Sequence, residues 1–141
     1  MNEKVTKYYF WITGLITALG NVPMILNPIS GTDTVLHLDM LNIPFAAPLF
    51  GHWAMMVSCI GVYLFMAGTK KKYRKSAVIY SNFEKGIMAL TGWGLMLTSP
   101  DITLMHYLPM TIADTLFTIG GFIYLFSAQK QKDQVAELSV A

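Results

Sequence analysis

Apolar residues dominate two long stretches of the chain, Tyr8 to Thr32 and Met40 to Thr69, and neither contains an Asp, Glu, Lys or Arg. A helix needs about 20 residues to cross the hydrocarbon core of a bilayer. Each stretch therefore holds one span, read as residues 9–26 and 45–67. Two further stretches, 77–98 and 104–127, read as spans three and four, although Glu84, Lys85 and Asp114 lie inside them. The runs are long and lack the short alternating segments of a membrane barrel, and open sheet edges are excluded from lipid because their backbone groups would be unpaired. The pattern predicts an all-α fold: one domain over residues 1–141, an integral membrane four-helix bundle with both termini cytoplasmic.

Between the first two spans, residues 27–44 form the longest connection, with Pro28 and the Ser30-Gly31 turn signal followed by Thr34 to Met40 as a short amphipathic segment. Pro23 is expected to kink span one and free a carbonyl near Leu19, with Asn21 beside it as a polar contact. Small residues punctuate the spans, and Gly14 and Ala18 have the four-residue spacing that lets helices approach closely.

Charge placement sets the orientation. Lys4 and Lys7 precede span one, Lys70, Lys71, Lys72, Arg74 and Lys75 separate spans two and three, and Lys130 and Lys132 follow span four, which puts nine of the ten basic residues on one face. The positive-inside rule makes that face cytoplasmic, in a multi-pass protein of the cell membrane. The net charge of +2 is thus a matter of topology, and no basic patch with a recognition element points to nucleic acid. Composition agrees: 13% of residues are charged, against about 25% in soluble domains. Lys4, Lys7 and the apolar run ending near Ala18-Leu19-Gly20 also have the layout of a secretory signal, read here as a retained first span. Cys59, the single cysteine, reads as a small buried hydrophobe.

Ionisable residues inside a span mark a functional site by default, because their cost must be offset by a partner, by water or by snorkelling. At about 1.5 Å per residue, Glu84 lies about 10 Å inside. Lys85 is about 100° further around the helix, so the pair is expected to divide, with Lys85 stretching to the interface and Glu84 turning inward beside Tyr80 and Met88. Asp114 near the midplane needs protonation or a partner, for which His52, Lys85, Asn21, Thr111 and Thr118 are candidates, with Met110 one turn away. Three uses follow from such a cluster. It could bind an apolar small molecule or a membrane lipid around its polar groups, with Asn21, Tyr80, Lys85, Met88, Met110 and Asp114 as contacts. It could act as an enzyme on a lipid-like substrate, with His52 and Glu84 as catalytic acid and base. It could serve proton-coupled transport as a subunit, in an oligomer of this chain or with another membrane protein, or act as an accessory subunit. An inert polar clasp that fixes helix register is the bland alternative. No cofactor is implied, and Asp33, His37, Asp39, Asp101 and His106 match no specific metal-ligand spacing.

The block from His52 to Gly86 resembles the small four-span bacterial membrane proteins of the DoxX-like and BphX-like type. The residues behind the likeness are His52-Trp53, Gly61, Ala67, Arg74 and Glu84-Lys85. The resemblance implies a compact inner-membrane helical bundle and groups His52, Arg74, Glu84 and Lys85, without assigning any of them an activity.

Overall fold

The computed structural model describes residues 2–36, 44–98 and 104–140, with the side chains of 44, 104–107 and 131–140 left aside. Every regular element among them is helical: α1 (Glu3–Gly20), α2 (Val22–Leu26), α3 (Pro28–Leu36), α4 (Ala47–Thr69), α5 (Arg74–Thr98) and α6 (Leu104–Val140), with single 3-10 turns at Pro44–Ala46 and Lys71–Tyr73. Asn2 caps α1 by accepting the Lys4 N–H, which satisfies one of the free donors of a helix start. The kink expected at Pro23 is a break: α1 stops at Gly20, the Asn21 side chain donates to the Thr17 carbonyl at 3.0 Å, and Pro23 opens α2. α1 and α2 together still form one 24-residue stretch, Glu3–Leu26. The segment expected as a loop after Pro28 is helical as far as Leu36, and the rest of the amphipathic segment, including His37 and Asp39, lies outside the described residues.

Among the described residues three helices, not four, are long and apolar enough to cross a membrane: Glu3–Leu26, Ala47–Thr69 and Leu108–Lys130. With α1 and α2 as one stretch the described residues make five distinct helices. These findings correct the four-helix bundle and remove the likeness to four-span DoxX-like and BphX-like proteins. The parity argument that placed both termini on the cytoplasmic face falls too, because it needed four spans and three helices among the described residues qualify. The physical reason is α5. It is long enough at 25 residues, but Arg74, Lys75, Ser76, Ser81, Asn82, Glu84 and Lys85 lower its hydropathy.

α5 is also patterned in reverse of a soluble helix. Its buried stripe includes Arg74, Ser81, Asn82 and Lys85 among Ala77, Val78, Ala89 and Gly92. Its outward face carries Ile79, Phe83, Ile87 and Leu90, the last 75% exposed. Large apolar side chains are exposed on α1, α4 and α6 as well, among them Leu15, Leu19, Met55, Val62, Leu116 and Phe126. Continuous apolar surface of this kind fits a multi-pass protein in contact with lipid. Cys59, expected to be buried, is exposed on α4.

The long helices associate in two pairs, α1 on α4 and α5 on α6, with much less contact between the pairs. The α1–α4 seam is built on small residues. A Cβ on Gly14 would stand 2.5 Å from the Phe65 nitrogen and 2.8 Å from the Gly61 carbonyl, and one on Gly61 would run into the Ala18 backbone. Ser58 Oγ donates to the Ala18 carbonyl at 3.0 Å across the same seam. The small-residue spacing read from Gly14 and Ala18 thus lies at a helix contact. The α5–α6 seam is polar: Asn82 Nδ2 donates to the Thr118 carbonyl at 3.2 Å, Lys85 Nζ to Asp114 at 3.1 Å and Trp93 Nε1 to Thr115 at 3.1 Å.

At one end of the molecule Arg74 ties three segments together. Its Nη1 and Nη2 donate to the two Glu3 carboxylate oxygens at 3.1 and 2.8 Å, Nε donates to the Ala67 carbonyl at 3.0 Å, and Nη2 also reaches Gly68 O. The guanidinium therefore closes the end of α4 and holds the start of α1, a bidentate geometry that Lys cannot copy. Beneath it lies a core of Phe10, Leu64, Ala67, Ala77 and Val78, with Tyr9, Tyr63, Tyr73 and Tyr124 packed against it. Tyr9 also links the two helix pairs, its hydroxyl donating to the Phe117 carbonyl at 2.8 Å.

Gly61→Leu is expected to lower the thermal unfolding midpoint in detergent, with an overpacking cost of about 1–3 kcal/mol or more. Gly94→Ala, where a Cβ meets nothing within 4 Å, is expected to be neutral or stabilising by up to about 1 kcal/mol. In the same assay Arg74→Lys is expected to lower the midpoint clearly. Lys71→Ala, which removes only an exposed 3.4 Å ion pair to Glu3, should leave it close to the native value.

Candidate polar crevice between the helix pairs

The seam between the two helix pairs encloses a half-open crevice of about 220 Å³. α1 contributes Ile16, Thr17 and Gly20, the break after it contributes Asn21, and α3 contributes Val35. Trp53 and Val57 come from α4, Glu84 and Lys85 from α5, and Pro109, Met110, Ala113, Asp114 and Phe117 from α6. At one end it is closed by an apolar cluster of Met24, Leu36 and Ala54, against which Val35, Trp53 and Met110 pack. The break at Asn21 matters here, because it leaves an amide side chain at the wall where a continuous helix would present only its flank.

Lys85 lies at the polar centre. It is 5% exposed, so it does not stretch to the interface as the sequence reading expected. Its ammonium stands 3.1 Å from Asp114 Oδ1 and 3.8 Å from Glu84 Oε2. Glu84 and Lys85 were expected to divide because of the angle between them, yet both long side chains bend to the same crevice. Lys85 also lies 5.6 Å from the centre of the Phe117 ring, an aromatic face turned toward a cation. A buried ammonium is tolerated when it is paired and hydrogen-bonded, and Asp114 meets that need. The second carboxylate is less well served: Glu84 Oε2 is buried with no hydrogen-bond partner. The Thr17 hydroxyl, on a residue 3% exposed, also has none.

Of the residues singled out from the sequence, Asn21, Glu84, Lys85, Met110 and Asp114 come together here. Met88 is half-buried on α5 outside the lining. Tyr80 is 65% exposed on the outer side of α5, turned away from this centre. His52 is exposed on α4 and does not line the crevice. Asp33 is exposed on α3, Asp101 lies outside the described residues, and His106 is covered only as backbone. Among the described residues no group of three His, Cys, Asp or Glu is placed to hold a metal ion. Sequence reasoning missed Thr17, Val57, Ala113 and Phe117 as crevice residues, and named Trp53 for the family likeness. Thr17 alone had a usable signal, lying one turn before Asn21 on the same face.

Lys85→Met and Asp114→Asn are each expected to destabilise the protein strongly, by about 3–5 kcal/mol, because each leaves a buried partner uncompensated. The triple variant Lys85→Met/Asp114→Leu/Glu84→Gln, which leaves no buried charge unpaired, is expected to recover most of that loss, read as a denaturation midpoint in detergent.

No family model matches the chain, no curated protein matches it, and no solved structure matches it.

Proposed function

We propose that this is a membrane-embedded binding protein that takes the end of an apolar small molecule or lipid into the crevice between its two helix pairs. The observation that carries the reading is the make-up of that crevice: apolar and aromatic walls from Ile16, Val35, Trp53, Val57, Ala113 and Phe117 around the Glu84, Lys85 and Asp114 charges. Binding sites for small molecules commonly combine mostly apolar walls with a few placed polar groups. At about 220 Å³ the crevice is below the usual range of about 300–1,000 Å³. It suits a head group or a single ring, the rest of the molecule lying along the exposed apolar flanks of the helices.

The catalytic alternative paired Glu84 with His52, which does not line the crevice, and no other histidine among the described residues does. Acid–base exchange requires both groups within reach of one substrate pose, so the binding reading is the better supported.

Ala113→Phe is expected to fill the crevice while leaving the Lys85–Asp114 pair in place. Mass spectrometry of organic extracts from detergent-purified protein should then show a co-purifying apolar molecule at native levels in the original chain and depleted by about tenfold or more in the variant, as loss of a buried contact surface implies. Equal recovery from both would overturn the reading.

A further inference from the structure

We infer that the crevice selects amphiphiles with a protonated amine head, an inference that rests on the binding reading above. Among the described residues two carboxylates, Glu84 and Asp114, face a single ammonium, Lys85, and no other Asp, Glu, Lys or Arg lines the space. Among the described residues Lys85 is within hydrogen-bond distance of Asp114 alone, at 3.1 Å, and Glu84 Oε2, in a 3.8 Å ion pair with Lys85, is a buried acceptor without a hydrogen-bond donor. The Thr17 hydroxyl is a second buried oxygen without a partner, on another wall of the same crevice.

The Glu84 oxygen calls for a ligand that brings an N–H donor and positive charge, and the Thr17 hydroxyl can accept a second N–H. A buried acceptor left unmade costs more than a made hydrogen bond gains, so a donor that reaches Glu84 gains on both counts. The walls add to this preference: Trp53 and Phe117 offer aromatic faces, and Phe117 already lies beside the Lys85 cation. Ring faces attract ammonium groups more strongly where water is excluded. An anionic head would be drawn to Lys85 but would face both carboxylates, one of them uncompensated. A neutral alcohol could donate once but brings no charge. A quaternary ammonium brings charge without donors. A protonated amine supplies both.

Four single-chain probes of equal length separate these possibilities: decylamine, decyltrimethylammonium, decanol and decanoate, each added to the full-length protein in a neutral detergent and read as one-to-one adducts by native mass spectrometry. Decylamine is expected to bind about tenfold or more tightly than decanol, the scale of a hydrogen bond to a charged group, with decyltrimethylammonium between them and decanoate weakest. Glu84→Gln is expected to bring decylamine down to the level of decanol without weakening decanol. Thr17→Val, which leaves every charge in place, should weaken decylamine selectively and by less. Equal affinity for decylamine and decanol in the native chain, or a preference for decanoate, would overturn the amine selectivity. If decanol binding were nevertheless abolished by Ala113→Phe, the binding reading would survive that result. Failure of all four probes to bind would overturn both.

Discussion

The hydrogen-bonded ion pair between Lys85 and Asp114 fixes how the least apolar long helix sits among its neighbours. An ammonium that is 5% exposed cannot be left without a countercharge, so Asp114 on α6 determines which face of α5 turns inward. Helical periodicity then settles the rest of α5. Arg74, Ala77, Val78, Ser81, Asn82, Ala89 and Gly92 follow Lys85 into the interior, and Ile79, Phe83, Ile87 and Leu90 are carried to the outside. Glu84 precedes Lys85 by one residue and is brought to the rim of the same space, without a donor of its own. The pair thus sets both the seating of the helix and the unequal number of acidic and basic side chains that the described residues bring to the crevice.

The two seams of the molecule use different chemistry. α1 and α4 approach through Gly14, Ala18 and Gly61, where the absence of side chain lets backbones touch. α5 and α6 are joined by side-chain hydrogen bonds at Asn82, Lys85 and Trp93. In lipid, where burial of apolar surface gives no drive for helices to associate, close packing and polar contacts are the available attractions. Each pair uses mainly one of them. The space left between the pairs is where the crevice lies, bridged lower down by the hydrogen bond from Tyr9 to Phe117.

Much of this was legible in the sequence where a signal stands out from its local background. Uninterrupted apolar runs located α1 and α4, and charges inside apolar stretches drew attention to Glu84, Lys85 and Asp114. Pro23 beside Asn21 marked the break in the first stretch. What was not legible depends on facing. Hydropathy averages around a helix, so the inward polar stripe of α5 and its outward apolar face could not be separated, and the count of four spans failed there. Lys85 was assigned to the interface by its long stem, because nothing in the local sequence reveals a carboxylate on another helix 3.1 Å away. His52 was grouped with the cluster by depth, but it lies about 200° around the helix from buried Ala54, and depth carries no information about azimuth.

The Glu3–Arg74 clamp also has a consequence for the order of assembly. The two residues are separated by 71 positions. During synthesis at about 5–20 residues per second, Glu3 waits several seconds before its partner exists. The start of α1 therefore cannot be locked when it emerges, and the same guanidinium that secures it also closes the carbonyls at the end of α4. The first helix made is fastened at its start only after α4 is complete, and the fastening is done by the residue that opens α5.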